Sequence, residues 1–470
     1  MVKDVFEDYR KIGINSLELA CGCAVKVDLN NVVYPSIKEL RHKLYSNFEI
    51  PSKRDAEVVG AKKDVKVYRR FYRLGPETNV DPDDVRRIDP LTCVAVIQVF
   101  QRHAVSPEKF SELLEPVYRK ISEAGANLRF GKGHSIITTV PEESIAVFDF
   151  ITLKGSSENK FLAINNDTVN IIDPTISLED ERQVRGALCN ALNDLYVLGV
   201  YNEIQVAPLI GVPSEGLRER MIENVKKFSR ENGFKFINVP QFDSRRILIG
   251  ATVLGTTEKQ PPTREDLVQP GMHVIVTRPF GELSPITVYV SSLVNDRIVS
   301  ELEAEGISYR ELEREKEEAV ELISSPNVNG AKIVNKHLPK IGEEFEREQH
   351  IILSSDISGP GVYIFAEIAE KANACIELEE IPLLFPEVSE YAAKRFLMTN
   401  STAGTNGAFC LIAHENVTEE LLKDLRRAGY RPQIIGRVSE VGRARVIVSK
   451  NILKYVTNLR HPLIELVDDK

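Results

Sequence analysis

Three side chains in the stretch 167–199, DTVNIIDPTISLEDERQVRGALCNALNDLYVLG, have the types and spacing that phosphate chemistry uses. Asn190 and Asp194 are four residues apart, so a helix stacks them one turn above each other. Asp173 is expected to close the strand before that helix and to face the same end of the strand–turn–helix unit. Magnesium prefers carboxylate oxygens and water, so such a trio could hold a magnesium–phosphate complex. The same spacing also suits an ordinary amphipathic helix whose polar face contains Asn and Asp.

Two further places carry chemistry. Cys21-Gly22-Cys23 is followed by Lys26. A nearby ammonium lowers a thiol pKa, and glycine lets the backbone bend. Two cysteines alone do not make a zinc site, and a strand with two small buried residues accounts for them equally well. Downstream, Ser354-Ser355-Asp356-Ile357-Ser358-Gly359-Pro360-Gly361 joins a short strand at 351–353 to a helix at 362–372. Backbone N–H groups at such a turn suit anions, with Gly359 and Gly361 as the cradle. A second Ser/Thr/Gly-rich loop, 398–406, precedes a strand at 408–413.

The elements that must position these residues are legible in outline. Residues 161–164 and 168–172 read as a hairpin around the turn sequence Asn165-Asn166-Asp167. The Asn190 helix follows, then a strand at 202–210. A helix at 213–233 is capped by Ser214 and stopped by Gly233. Strands are expected at 236–239, 246–254 and 272–277, the last running into Arg278-Pro279-Phe280-Gly281. A charged helix over 308–324 presents a solvated face. Farther on, 417–428 reads as a helix and 433–438 and 445–448 as closing strands. Upstream, a strand at 91–100, a helix from Ser106 to Glu123 and strands at 127–130, 134–140 and 145–153 form a separate α+β unit.

Composition narrows the class. The chain has 470 residues, 43% hydrophobic and 27% charged, as expected of a globular protein with two or three domains. A net charge of −9 argues against general nucleic-acid binding, despite a basic stretch from Lys53 to Arg73. No apolar run is long enough to span a membrane, and the charged start MVKDVFEDYRK is unlike a signal peptide, so a cytoplasmic location is expected. Six cysteines are few for a disulfide framework in a chain of this size; Cys93, Cys189, Cys375 and Cys410, scattered singly in apolar contexts, read as buried thiols.

Taken in order, these segments resemble the ATP-binding family that includes aminoimidazole ribonucleotide synthetase, the hydrogenase maturation dehydratase and, as the nearest match, the selenophosphate synthetases (selenide, water dikinases). The quoted segments are NALNDLYVLG at 190–199, IIDPTI around Asp173, PGMHVIVTRPFG at 270–281, SSDISGPGVY at 354–363, GTNGAF at 404–409 and IIGRV at 434–438. Cys21-Gly22-Cys23 resembles the family's mobile N-terminal nucleophile loop. The resemblance spans roughly residues 155–450.

It implies an α+β, two-domain synthetase-like fold: an N-domain whose sheet forms a dimer barrel over 154–265, and a C-domain α/β sandwich over 266–470. Residues 1–30 would be the Cys-containing segment and 31–153 an extra α+β domain. It further implies ATP and Mg²⁺ as cofactors and a homodimer. Asp194, Asp356 and Glu158 would hold the metal. Asp173, Asn190, Gly359, Gly361, Thr405, Asn406 and Gly407 would contact the nucleotide with Asp194. Cys21 and Lys26 would be catalytic.

Three positions depart from the family pattern. Ala24 stands where its lysine follows the second cysteine. Glu158-Asn159 stands where it has paired aspartates, and a placement on Glu142-Glu143 agrees less well with downstream spacing. Val239-Pro240-Gln241-Phe242-Asp243 lies near its Gly-Gly-His segment. The implied activity is phosphoryl transfer from ATP to selenide, sulfide or a related small nucleophile. The alternative is a degenerate nucleotide-binding scaffold of the same fold.

Overall fold

The computed structural model describes residues 6–14 and 161–468, apart from 240, 244–246, 296, 396, 399, 458 and 460, together with the backbone of five short strands between 48 and 154. Near the N-terminus lies a one-turn helix, α1 (Glu7–Lys11). Strands β1 (Phe48–Glu49), β2 (Asn127–Phe130), β3 (Ile136–Val140) and β4 (Ser144–Val147) form one sheet in that order. The strand expected over 145–153 is two strands, β4 and β5 (Phe150–Lys154), and β5 belongs to the next sheet. The expected strand at 91–100 and helix at 106–123 lie outside the described residues.

The second sheet contains β5, β6 (Phe161–Val169), β7 (Asn202–Val212), β8 (Lys235–Phe236), β9 (Phe242–Asp243) and β10 (Leu248–Thr257), with order β5-β6-β10-β7-β8 and β9 beside β7. Against it pack α2 (Glu181–Tyr196) and α3 (Glu215–Glu231). Asp180 caps α2, its carboxylate accepting the Arg182 N–H at 2.9 Å. Ser214 caps α3 through the Leu217 N–H, as its sequence predicts.

The hairpin expected at 161–172 does not form. Strand β6 runs unbroken, antiparallel to β10 at every residue from Phe161↔Thr257 to Val169↔Ile249. The turn chemistry of Asn165-Asn166-Asp167 gives way because the sheet supplies partners instead. Alternation sends Asn165 and Asp167 toward α2, while Asn166 turns away to the Thr252 hydroxyl at 2.8 Å. Glycine at 250 is what lets β10 lie so close, since a Cβ there would sit 2.1 Å from the Asp167 carbonyl oxygen.

The third sheet orders β12 (Ile351–Ile357), β14 (Ala408–Ala413), β11 (His273–Val276), β15 (Gln433–Val441), β13 (Ala374–Leu378), β16 (Arg445–Ser449) and β17 (Ile464–Val467). Its helices include α4 (Leu283–Val294), α5 (Arg297–Ala304), α6 (Tyr309–Ile323), α7 (Val328–Lys336), α8 (Ile364–Lys371), α9 (Pro386–Lys394) and α10 (Glu415–Arg427). The charged helix predicted over 308–324 is α6, capped by Ser308 at its start. Strand β12 continues through Asp356 rather than stopping at Leu353, because its ladder with β14 extends to Ile357↔Ala408. Among the described residues no helix is long and apolar enough to cross a membrane. Buried apolar residues from both sheets form one continuous core, in which Phe6, Tyr9 and Ile14 of the α1 segment take part.

Candidate active site

Strand β6 and helix α2 face each other with two matched amide–carboxylate couples. The Asn165 side-chain amide donates to Asp194 Oδ2 at 2.7 Å and to the Ala191 carbonyl at 2.9 Å. In the opposite sense, the Asn190 amide on α2 donates to Asp167 Oδ2 on β6 at 2.5 Å. Asp167 Oδ1 also accepts its neighbour's N–H, from Thr168, at 2.7 Å. Asn165 and Asn190 are buried, whereas Asp167 and Asp194 are half-buried. Each carboxylate is thus oriented by a buried amide while part of the residue remains open to solvent. Charge-assisted hydrogen bonds of this kind fix a carboxylate's direction as well as its position.

Asn190 also reaches across to the third sheet, its Oδ1 accepting the Asn406 backbone N–H at 3.4 Å. One helix position therefore touches β6 on one side and the 400–407 loop on the other. Asn193 makes a parallel link, donating to the Gly407 carbonyl at 3.1 Å. Asp356 is half-buried near the end of β12, opposite Phe409 two residues beyond Gly407.

The glycine-rich loops are packed against one another rather than laid open. Ser358 O accepts both the Gly361 N–H at 2.9 Å and the Gly404 N–H at 3.0 Å. The Val362 N–H goes to the Thr402 hydroxyl at 2.9 Å. Gly361 has a left-handed φ of +55°, and a Cβ there would meet Thr402 Oγ1 at 2.2 Å. At Gly407 a Cβ would meet the Ile357 carbonyl oxygen at 2.0 Å. Glycine is required at 361 and 407 by this close approach, whatever else the loops do. The Gly361 N–H, read from sequence as part of an anion cradle, is spent inside the protein.

Asn406 is likewise committed. It is fully buried with a left-handed φ of +53°. Its side-chain amide closes the C-terminus of α6, donating to Leu322 O, Ile323 O and Ser325 O at 3.2, 3.1 and 2.7 Å, and its Oδ1 accepts from Asn327 at 3.1 Å. Thr405 beside it is also buried. The Asn406 side chain therefore ties loop to helix, and only its backbone N–H reaches the Asn190 site.

Asp173 stands apart from its expected companions. It does not close β6, which ends at Val169, but lies in the loop leading to α2. Fully buried, it holds Lys316 Nζ of α6 on Oδ2 at 2.9 Å and the Thr175 N–H and hydroxyl on Oδ1 at 2.8 and 2.6 Å. Gln183 brackets the same turn, accepting the Ile172 and Asp173 N–H groups and donating to Asp173 O at 2.6 Å. Burial alone would lower the Lys316 pKa, but the Asp173 and Glu317 carboxylates outweigh it and hold the ammonium above the usual lysine range. A second ion pair alongside, Arg182–Glu317 at 2.9 Å, makes this a clasp between the α2 region and α6. The α1 segment docks here too, with the Tyr9 hydroxyl on Ile176 O at 2.8 Å.

Cys21, Lys26, Cys93 and Glu158 lie outside the described residues, whereas Gly359 is half-buried in the turn after β12. Cys189, Cys375 and Cys410 are buried free thiols, as their apolar contexts predict. Burial pushes the Cys410 thiol up to about 12 and that of Cys189 higher still, so both are inert. Among the described residues no three His, Cys, Asp or Glu side chains are grouped to hold a metal by themselves. Magnesium sites on nucleotides typically use one or two carboxylates plus phosphate oxygens, so the hard oxygens of Asp167 and Asp194 fit a phosphate-bridged ion and not an all-protein cage. Sequence reasoning missed Asn165 and Asp167. Their signal was an i, i+2 polar pair within the run 161–169, which a strand turns to one face.

Similarity to known proteins points the same way as the ordered motifs. No family model matches the chain. Over 295 residues, 61% of this chain and 80% of the relative, it is 24% identical to the selenide, water dikinase of Methanocaldococcus jannaschii. The corresponding protein of Methanococcus maripaludis is 22% identical over 292 residues, 61% and 83% of the two chains. The chain is similar to the selenide, water dikinases. That resemblance, expected from the spaced segments, is borne out by these relatives. Among solved structures, the thiamine-monophosphate kinase of Stenotrophomonas maltophilia aligns over 71% of this chain and 95% of its own at 16% identity, with a TM-score of 0.44, too loose a likeness to bear on function.

Proposed function

We propose that this protein is an ATP- and magnesium-dependent phosphotransferase similar to the selenide, water dikinases, acting on selenide, sulfide or a related small nucleophile. The observation that carries the reading is the paired amide–carboxylate arrangement, Asn165 with Asp194 and Asn190 with Asp167, between β6 and α2. Phosphoryl transfer is mostly a matter of positioning and charge neutralisation, and two oriented carboxylates supply the positioning. Asp194, with Asp167 and Asp356, would hold magnesium on the nucleotide phosphates, and the bound ion would neutralise their charge. Asn190 keeps Asp167 turned toward the ligand. Within this reading Cys21 orients the acceptor, Lys26 balances developing charge, and Glu158 adds a metal contact. The N-domain expected over 154–265, which β5 extends upstream to Phe150, pairs with its copy in a homodimer, and 266–470 forms the other half of each subunit.

One observation favours a second reading, in which nucleotide binds without turnover. The loop groups at Gly361 and Asn406 that would cradle phosphate already have internal partners. Assay of ATP consumption by the full chain with selenide, with sulfide and with neither separates the two. Acceptor-stimulated turnover abolished in Asp194→Ala supports the phosphotransferase. Saturable Mg-ATP binding without turnover supports the scaffold, and an absence of both overturns the nucleotide site.

A further inference from the structure

The turn that follows β11, Arg278-Pro279-Phe280-Gly281-Glu282, contains a buried ion pair that the phosphotransferase reading leaves unused. Arg278 is 5% exposed and Glu282 not at all. The guanidinium bonds Glu282 Oε1 through Nη1, which also reaches the Pro279 carbonyl at 3.0 Å. Its Nη2 donates to the Asn406 carbonyl at 2.8 Å. Among the described residues, two atoms of the pair have no hydrogen-bond partner: Arg278 Nε and Glu282 Oε2.

A buried ion pair with unsatisfied atoms is poorly suited to stabilising a fold, because its desolvation is not recovered and apolar residues of the same volume serve as well. Its geometry is more telling. Arg278 holds the carbonyl of the same residue whose N–H serves Asn190, and Asn190 in turn orients Asp167. Glu282 Oε2 lies against Gly404, where a Cβ would approach it to 2.0 Å, so the loop is seated on both members of the pair. The Ser284 hydroxyl, two residues on, adds a bond to Ser401 O at 3.1 Å.

We propose that Arg278 and Glu282 are positioning residues for the nucleotide site, acting through the Asn406 backbone and Asn190 on the Asp167 carboxylate. This inference rests on the nucleotide-site reading above. It gives the buried charge pair a role at a turn that apolar packing alone would fill.

The test uses the full chain and two variants. Arg278→Met/Glu282→Leu removes both charges together, so neither is stranded, and Arg278→Lys keeps the charge while giving up the forked geometry. Apo thermal midpoint and Mg-ATP dissociation constant are measured for each. The double variant is expected to keep a midpoint near that of the unaltered protein while its dissociation constant rises by about tenfold or more, the scale on which supporting partners of a metal site act. Arg278→Lys should fall between. A purely structural role would move the midpoint and not the affinity of the folded protein. Unchanged affinity in both variants overturns the inference, and so does failure of both to fold. If the unaltered protein binds no Mg-ATP, the nucleotide-site reading itself fails and takes this inference with it, an outcome distinct from the first.

Discussion

The β6–α2 face and the paired loops at 354–361 and 400–407 both carry residues expected to touch nucleotide, yet they are built in opposite ways. On the first, buried amides orient half-buried carboxylates. On the second, glycines, threonines and an asparagine satisfy one another, and their side chains point into the protein. Polar residues around a ligand site therefore divide into those that are presented and those that hold the presenting element. Composition does not distinguish them; partners do.

Asp173 tests that division most severely, since sequence grouped it with the presented residues and the structure places it in a buried clasp. Lys316→Met strands its carboxylate and should destabilise the protein by about 3–5 kcal/mol, read from denaturant unfolding. Asp173→Leu/Lys316→Met should recover much of that loss. Mg-ATP affinity of the double variant, measured where it is fully folded, should stay close to that of the unaltered chain; loss of binding would return Asp173 to the site.

Gly407→Ala probes the closed loops. Its methyl would lie 2.0 Å from the Ile357 carbonyl oxygen, a backbone atom that cannot move alone. Overpacking of this kind costs about 3 kcal/mol, so a marked fall in thermal midpoint is expected. A midpoint equal to that of the unaltered protein would show that the two loops yield at this contact.

Asn165→Ala probes the presented side. It removes the amide that orients Asp194 and leaves the Ala191 carbonyl to find another partner, at about 1–2 kcal/mol. Weakened Mg-ATP binding should accompany this modest loss. Loss of stability with affinity intact would place Asn165 among the holding residues instead.

The smallest expected effect lies away from both regions. Burial, reinforced by Glu311, raises the Glu315 carboxyl from 4.5 to about 7. Because the folded value is the higher one, its contribution is present below about pH 4.5 and is lost as pH rises through 7. Glu315→Gln should therefore raise the midpoint relative to the unaltered protein at pH 8, with the gap closing toward pH 5. A gap that does not vary with pH would contradict the assignment.

Much of this was legible in the residues. The α2 helix, the Ser214 cap, the charged helix over 308–324 and the strand at 408–413 follow from local chemistry and hydrophobic periodicity alone. The relation of Asn190 to Asp194 followed from helical spacing. What could not be read was decided by partners distant in the chain. Asn165-Asn166-Asp167 has turn composition, but nine consecutive pairings with β10 and two amide–carboxylate contacts to α2 make it strand. Asp173 and Lys316 are 143 residues apart, and nothing local marks either as half of a buried pair. Asn406 closes a helix more than eighty residues earlier. Glycine-rich loops carry the same letters whether they cradle an anion or pack backbone on backbone.

The most direct test of the central claim is calorimetric titration of Mg-ATP into the full chain and into Asp194→Ala, with thermal midpoints recorded for both. Asp194 is half-buried, and the Asn165 amide that donates to it keeps its bond to the Ala191 carbonyl, so the substitution should leave the fold intact. The unaltered protein should bind Mg-ATP saturably and the folded variant not at all. Equal binding by both would remove Asp194, and the face it shares with Asp167, from the nucleotide site.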